Sequence, residues 1–396
     1  EGIGQKKLAE ILASWQEHGE IRDLIIFLQE HGISTTMAYK IYRTYGRSSF
    51  DVLKRNPYQL CLDIWGIGFK TADQIALKLG LPEDSLDRVK AYILYLLEKD
   101  NEEGHVYSRE EEVAGKCQED LGASLERLEA ALSALSLDRS IIKKETPSGC
   151  HLYRPFFYQA EEEAARKLVS LASQDCQVPD FDLDRKIEEI EKKSGLVFSP
   201  LQKKAIKASL QKKILIITGG PGTGKTTIIR AVVDIFDSWP KKVLLAAPTG
   251  RAAKRLAEAT GREAKTIHRL LEYQPKGGQF KRGPRHPLRA DALIVDEVSM
   301  VDLPLMYHLL QALSPEMRLI LVGDQDQLPS VGPGNLLRDL TGSGIIEVIR
   351  LNEIFRQAKE SLIVVNAHRV NQGQPILYPR RGDPEADFYF IHQENE

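Results

Sequence analysis

From residue 214 onward, the chain alternates short apolar runs with longer amphipathic stretches. Each apolar run stops at a glycine or a polar residue, which is typical of a buried strand. We predict strands at residues 214–218, 243–247, 292–296 and 319–322. Because the stretches between them have helical spacing, the pattern predicts a parallel sheet of the α/β class.

Residues 87–158 have helical spacing followed by a short two-stranded pattern. Two short apolar runs, 141–144 and 150–153, are separated by the turn residues 146–149 and predict a hairpin. Three helices followed by a hairpin resemble a winged helix, but a packing module that contacts no nucleic acid fits equally well because no basic cluster marks a recognition helix. The apolar residues expected on two buried helical faces are Val89, Ile93, Leu96 and Leu97, and Leu125, Leu128, Leu132 and Leu135.

A glycine-rich tripeptide recurs at residues 2–4, 32–34 and 66–68, followed in the last two copies by a small and then an apolar residue. This spacing resembles the helix-hairpin-helix motif. In the third copy, Gly66 and Gly68 let main-chain N–H groups face a phosphate, while Lys70 and Thr71 add a charge and a hydroxyl. We predict that these four residues bind DNA. Ser34 replaces a glycine in the second copy, where a packing turn is favoured.

Composition limits the remaining possibilities. A chain of 396 residues predicts two to four domains, and 42% hydrophobic with 28% charged residues is typical of a soluble globular protein. No apolar run is long enough for a membrane span. The net charge of −2 gives no bulk attraction to nucleic acid. Four scattered cysteines indicate neither a zinc ribbon nor a disulfide framework, so we expect a cytoplasmic protein.

The strand at 214–218 leads into Gly219-Gly220-Pro221-Gly222-Thr223-Gly224-Lys225-Thr226-Thr227, a complete P-loop in its required context. Main-chain N–H groups from Gly220 to Thr227 are expected to wrap the phosphates of a nucleotide. Lys225 is expected to reach the β and γ oxygens, and Thr226 to ligate Mg²⁺. This is the strongest chemical signal in the chain.

A pair of carboxylates, Asp296 and Glu297, follows the predicted strand at 292–296. Ligands bind at the carboxyl edge of a parallel sheet. We expect Asp296 to hold the metal and Glu297 to orient or deprotonate the attacking water. An acidic pair alone is more often a solvated helix start, and it is the P-loop that favours catalysis.

Further motifs follow in a fixed order, at residues 198–202, 247–253, 266–271, 323–330 and 351–357. With the P-loop and the acidic pair, this order resembles superfamily 1 DNA helicases. The sequences Asp-Glu-Val-Ser-Met at 296–300 and Gly-Asp-Gln-Asp-Gln-Leu-Pro-Ser at 323–330 resemble the RecD/TraA branch in particular, in agreement with the hairpin repeats.

The resemblance implies roles for several nucleotide-site residues. Gln202 is expected to pair with the adenine edge, which implies ATP, and Gln327 to sense the γ-phosphate. Phe355 is expected to stack on the base and Arg356 to act as an arginine finger. Phe355 has a core position as its alternative.

The same resemblance places Thr249, Arg251 and His268 on single-stranded DNA. Each threonine of these motifs, Thr249 and Thr266, is also a good helix N-cap, and His268 is more often a packed surface histidine. The DNA contacts therefore have structural alternatives.

The implied architecture is a RecA-like P-loop motor domain behind an all-α helix-hairpin-helix region and a winged-helix-like module. The expected boundaries are 1–86 for the hairpins, 87–158 for the winged-helix-like module, 159–195 for a linker, 196–350 for the first motor domain and 351–396 for an incomplete second one. Residues 273–289 are assigned as a pin-like insertion, for which a mobile basic loop is nearly as good an interpretation. Both ends are expected to be truncated.

The implied function is an ATP-dependent DNA helicase with Mg²⁺, moving 5′ to 3′ on single-stranded DNA and acting at single-strand to duplex junctions, with partners in repair or recombination. Alternatives are a DNA-stimulated ATPase or translocase without strand separation, and a DNA-binding adaptor or exonuclease-complex subunit switched by ATP. The chain alone is expected to bind nucleotide without unwinding DNA.

Overall fold

The structure is a computed structural model, and it describes residues 21–64, 66–239, 241–353, 361–379 and 387–389. The chain divides into two compact units, residues 1–158 and 159–396. In the described part of the chain, no helix combines the length and the apolar character needed to cross a membrane.

The first unit is mainly helical, with one small sheet. Its sheet has the antiparallel order β1-β3-β2. The elements are α1 (residues 21–30), α2 (Thr35–Tyr45), α3 (Ser49–Arg55), α4 (Gln59–Asp63), α5 (Phe69–Lys78), α6 (Leu86–Glu102), β1 (Ser108–Arg109), α7 (Glu110–Leu121), α8 (Leu125–Leu137), β2 (Ile142–Thr146) and β3 (Gly149–Tyr153).

The helices of the first unit share one apolar core. Leu28 of α1, Ile41 of α2 and Leu60 of α4 are fully buried in it. Phe69, the first residue of α5, stacks on Tyr95 of α6 with ring centroids 5.7 Å apart. The core therefore fixes the start of α5, where the third glycine turn ends.

Two details of the first unit differ from the sequence expectations. Leu125 is 63% exposed although it shares the helical face of Leu128, Leu132 and Leu135, because it is the first residue of α8 after the Ser124 cap. The hairpin strands are longer toward the turn than predicted, and β1 pairs with β3 although no pattern predicted it.

The second unit is built on a parallel sheet of six strands in the order β11-β4-β10-β9-β5-β6. Its strands, with a separate hairpin of β7 and β8, are β4 (Ile214–Gly219), β5 (Val243–Ala247), β6 (Ala264–Thr266), β7 (Tyr273–Gln274), β8 (Gln279–Phe280), β9 (Ala292–Val295), β10 (Arg318–Gly323) and β11 (Val348–Leu351). Its helices are α9 (Pro155–Ala172), α10 (Leu183–Ser194), α11 (Pro200–Gln211), α12 (Lys225–Asp237), α13 (Gly250–Thr260), α14 (Ile267–Leu270), α15 (Leu303–Ala312), α16 (Leu336–Gly342) and α17 (Leu362–Asn371).

The predicted α/β fold class is confirmed. The four predicted strands form the contiguous block β4-β10-β9-β5. The two strands that the pattern missed, β6 and β11, lie at the edges of the sheet, where a strand needs fewer apolar residues because it is covered less completely. The carboxyl ends of the strands meet at one edge, which positions the loops after β4, β9 and β10 together.

Candidate functional site

The P-loop joins the end of β4 to the start of α12, so it lies at the carboxyl edge of the sheet. Thr223 is buried inside the loop, and its hydroxyl donates a hydrogen bond to the Gly220 carbonyl at 2.8 Å. A Cβ added to Gly219 would lie 2.7 Å from the Leu351 carbonyl oxygen of β11. The loop is therefore shaped by its own bonds and by the neighbouring strand. The other predicted loop residues, Pro221, Gly222, Gly224, Thr226 and Thr227, are exposed or half-buried.

Lys225 points its ammonium group back into the loop. Its Nζ donates to the carbonyl oxygens of Gly219 at 2.5 Å and Gly220 at 3.0 Å. Burial lowers the pKa of Lys225, while the charge of Asp324, followed by Glu297 and Asp296, acts in the opposite direction. A partly desolvated cation held only by carbonyls is suited to receive an anion such as phosphate.

Asp296 and Glu297 leave the sheet directly after β9. Burial, followed by the negative charge of Glu297, raises the pKa of Asp296 to about 6, although the Glu297 N–H donates to its Oδ1 at 3.0 Å. Glu297 has φ +56°, a left-handed conformation that is costly for a residue with a side chain. Such strain is concentrated at functional sites.

Two buried oxygen atoms in this region, Glu297 Oε2 and the nearby Ser299 Oγ, have no hydrogen-bond partner within the described residues. A buried polar atom without a partner costs about 1–3 kcal/mol, so a polar ligand or water there would relieve a real penalty. Oxygen donors of this kind are the ligands and hydrogen-bond acceptors that hydrated Mg²⁺ prefers. The residues present therefore fit a magnesium nucleotide.

A third carboxylate, Asp324, was not singled out from the sequence. It follows β10, is 2% exposed, and accepts a hydrogen bond from the Asp326 N–H at 3.1 Å. The next residue, Gln325, donates its N–H to Thr218 Oγ1 on β4 at 3.2 Å, which fixes this loop beside the P-loop. The signal that could have identified Asp324 is the one used for Asp296, an acidic residue directly after a buried strand.

Gln327 lies in the same loop, but its side chain is exposed. The structure therefore brings Lys225, Asp296, Glu297 and Asp324 together, and γ-phosphate sensing by Gln327 stays a prediction. Phe355 and Arg356 lie outside the described residues, so their expected stacking and arginine-finger roles also stay predictions.

Gln202 is 1% exposed and lies beneath the P-loop. Its Oε1 accepts from the Ser199 N–H at 3.0 Å in a capping box that starts α11, and its Nε2 donates to the Thr223 carbonyl at 3.3 Å. Both ends of the amide are engaged within the protein. The amide supports the P-loop in this way, and adenine pairing by Gln202 stays a prediction.

The residues expected on single-stranded DNA lie at two helix starts in the second unit. Thr249 caps α13 by accepting the Ala252 N–H at 3.2 Å, and Thr266 caps α14 by accepting the Arg269 N–H at 3.2 Å. Arg251 is exposed in the first turn of α13. The capping alternatives are thus present, and an exposed arginine at a helix start remains compatible with a phosphate contact.

His268 packs against the hairpin of β7 and β8. Its ring meets Tyr273 edge-on at 5.5 Å and lies 5.7 Å from Phe280. Phe280 also lies 4.6 Å from His308 of α15, whose pKa is lowered by burial. This aromatic cluster fixes the base of the hairpin, and the Arg282–Glu272 ion pair closes it. Within the inserted segment 273–289, residues 273–280 form a hairpin with an anchored base.

The third glycine turn of the first unit precedes α5. Gly66 has φ +86°, which favours glycine, whereas Gly68 has φ −85° and forms the N-cap of α5. The first main-chain bonds of α5 come from Thr71 and Ala72 to the Gly68 carbonyl. The amides that precede them are the ones a helix start leaves for a ligand, and Lys70 is exposed beside them.

The second glycine turn differs in its helix cap, and its packing interpretation stays a prediction. Ser34 caps α2 by accepting the Met37 N–H, and Ile33 is buried. The first copy, at residues 2–4, lies outside the described residues.

Comparisons with known proteins agree with this organisation. Residues 17–107 match the family model described as "ATP-dependent RecD2 DNA helicase HHH domain", and residues 202–333 match the one described as "AAA domain". The chain is 35% identical over 385 residues to the ATP-dependent RecD2 DNA helicase of Deinococcus radiodurans, covering 94% of this chain and 52% of that protein.

Two further relatives match shorter parts of the chain. The RecBCD enzyme subunit RecD of Mycobacterium tuberculosis is 36% identical over 215 residues, covering 47% of this chain and 37% of that protein. The ATP-dependent DNA helicase dda of Enterobacteria phage T4 is 36% identical over 136 residues, covering 33% of this chain and 31% of that protein. The chain thus spans about half the length of the Deinococcus relative and less of the others.

The matched regions fall on the two features built above from the residues, the glycine turns of the first unit and the P-loop sheet of the second. Over most of its length the chain is similar to RecD-like DNA helicases.

Proposed function

We propose that this protein is an ATP-dependent DNA helicase that moves 5′ to 3′ along single-stranded DNA. The observation that carries the proposal is the meeting of Lys225, Asp296, Glu297 and Asp324 at one edge of the parallel sheet. Similarity to RecD-like DNA helicases supports DNA as the substrate, and the resemblance of the motifs supports the direction.

In the proposed reaction, Thr226 and Asp296 would hold a Mg²⁺ ion, which would supply neutralisation of negative charge at the β- and γ-phosphates of ATP. Lys225 would leave the carbonyls of Gly219 and Gly220 and bind the phosphate oxygens. Glu297 orients and deprotonates the attacking water. Its unpartnered Oε2 supports this role, because an acceptor without a donor is available for water.

The DNA contacts are proposed at several separate places. The turn at Gly66 and Gly68, with Lys70 and Thr71, binds backbone phosphate without reading sequence. Thr249, Arg251 and His268 contact single-stranded DNA in this proposal. Separate local contacts of this kind are consistent with a net charge of only −2.

The hairpin of β7 and β8 is proposed as the pin that separates the strands. The aromatic cluster at its base supports this, because a wedge must resist the displaced strand, while its tip at Lys276 to Gly278 is exposed. Deleting residues 276–282 from the full-length protein should abolish unwinding and spare DNA-stimulated ATP hydrolysis. Retained unwinding would exclude the pin role.

The test of the whole proposal uses the full-length protein on duplexes with a 5′ tail or a 3′ tail. Unwinding of the 5′-tailed duplex alone, lost in Lys225→Ala, is expected. Unwinding from the 3′ tail would overturn the direction. DNA-stimulated hydrolysis without strand separation would replace the helicase by a translocase, and hydrolysis indifferent to DNA would overturn the proposal.

We propose a cytoplasmic location and partners in DNA repair or recombination. The free cysteines Cys61, Cys117, Cys150 and Cys176 support a reducing compartment. The RecBCD subunits among the relatives support a role alongside recombination enzymes.

A further inference from the structure

A histidine of α17 lies against the P-loop. His368 Nε2 is 3.1 Å from the carbonyl oxygen of Pro221. A Cβ added to Gly220 would lie 2.5 Å from Cε1 of the same ring, so the imidazole fills the space that a side chain at Gly220 would need. Because a carbonyl oxygen only accepts hydrogen bonds, Nε2 carries the proton in this contact.

The helix that carries His368 is capped at its start and hydrogen-bonded to the segment that follows it. Asn366 is 3% exposed and exchanges two hydrogen bonds with the backbone of Leu377, at 2.8 and 2.7 Å. Arg369 Nε donates to the Pro375 carbonyl at 2.7 Å, and Ser361 caps the helix start by accepting the Val364 N–H. These bonds join α17 to the segment that follows it, and His368 presents its imidazole to the P-loop from this local unit.

The bond to Pro221 acts on the amide that follows it. The Pro221 carbonyl and the Gly222 N–H belong to one planar trans peptide and point in opposite directions. Gly222 has φ +76°, a backbone conformation that glycine adopts readily, so a bond to the carbonyl can set the orientation of this peptide. A donor that holds the carbonyl outward turns the Gly222 N–H inward, toward the phosphates that such a loop wraps.

We propose that His368 is a positioning residue of the nucleotide site, which orients the Gly222 N–H for the phosphates by binding the carbonyl of the same peptide. The inference rests on the proposed function, in that the loop binds a nucleotide. His368 lies on α17, which follows β11 in the chain, so the P-loop is contacted by a residue outside the central sheet. Movement of α17 would make or break the bond and so change nucleotide affinity, which links that helix to the state of the site.

The test measures equilibrium binding of magnesium ADP carrying a methylanthraniloyl fluorophore to the purified chain. His368→Leu removes the donor and keeps the bulk, and should weaken binding about two- to tenfold, the value of one hydrogen bond. His368→Gln places an amide N–H near the position of Nε2 and should bind within about twofold of wild type. Equal affinity of His368→Leu and wild type would overturn the inference, as would equal loss in the two variants.

A second arm tests the packing on Gly220. Gly220→Ala should weaken binding, and the loss should be smaller when His368→Ala has already emptied the space beside it. Equal losses in both backgrounds would contradict the contact. Circular dichroism and thermal unfolding of every variant identify any that fail to fold.

Lys225→Ala separates this inference from the function on which it rests. Binding by wild type that is lost in Lys225→Ala supports the nucleotide site itself. If wild type binds no better than Lys225→Ala, the proposed function and the role of His368 both fail. If wild type binds and His368→Leu binds equally, only the role of His368 fails.

Discussion

Asp296 should destabilise the ligand-free protein at neutral pH, and Asp296→Asn tests this. The pKa of its carboxyl is raised from 3.8 to about 6, by burial and then by the charge of Glu297. At about 1.4 kcal/mol per pH unit, an ionised Asp296 costs the folded chain about 3 kcal/mol at pH 7. The asparagine amide has the same shape and can still accept the Glu297 N–H, so the variant removes the charge and keeps the hydrogen bond.

The sign of the effect follows from proton uptake. Between pH 3.8 and 6 the folded state binds the proton more tightly than the unfolded state, so the penalty is present above pH 6 and is lost as the pH falls through this window. Asp296→Asn should therefore be more stable than wild type at pH 7, by up to about 3 kcal/mol, and nearly equal to it below about pH 4.

The measurement must report on the parallel sheet alone, because the chain has two compact units. Hydrogen exchange of peptides covering β4 and β9 across a urea series gives the free energy of opening of that sheet. Asp180→Asn, at an exposed position, is the matched control and should show no difference at either pH. A variant no more stable than wild type at pH 7, or an advantage of equal size at pH 4, would refute the reasoning.

Three further predictions concern single positions. Gly66→Ala should destabilise the first unit by roughly 1–2 kcal/mol in thermal unfolding and weaken DNA binding in fluorescence anisotropy, because its φ is +86°. Gly68→Ala should destabilise it less, by about 0.5 kcal/mol, because its φ is −85°, nothing lies within 4 Å of the added Cβ, and only the preference for glycine over alanine at an N-cap is lost. Gly219→Ala should abolish nucleotide binding in the fluorescence assay, because its Cβ would meet the Leu351 backbone oxygen at 2.7 Å, and normal affinity would contradict the close approach. Phe280→Ala should speed hydrogen exchange in the hairpin of β7 and β8 through loss of aromatic contacts worth about 0.5–1.5 kcal/mol each, while the exposed control Lys276→Ala leaves it unchanged.

The sequence predicted the central strands and the P-loop because both are determined by neighbouring residues. An apolar run of five residues and a glycine pattern carry their own conformational signal. Leu125 shows where this reasoning fails. Its spacing matched a buried face, but Ser124 is the N-cap, so Leu125 is the first residue of the helix and is exposed. Helix ends depend on caps that compete with apolar periodicity.

The parts of the site that could not be predicted depend on contacts between distant segments. His368 and Pro221 are brought together only by the fold, and neither residue type indicates the other. Burial of Asp324 likewise depends on how the loop after β10 folds against β4. A motif supplies the residues that touch the ligand, whereas the residues that orient them come from anywhere in the chain.

Both ends of the Gln202 side-chain amide form hydrogen bonds, and this limits which residues could replace it in related chains. Its oxygen accepts a hydrogen bond in the cap of α11, and its nitrogen donates one to the carbonyl of Thr223. Glutamate could accept the bond from Ser199 but could not donate one to Thr223 when ionised. Asparagine is one methylene shorter and could not reach both partners. A glutamine kept at this position would therefore be explained by these two bonds, whether or not it also contacts a nucleobase.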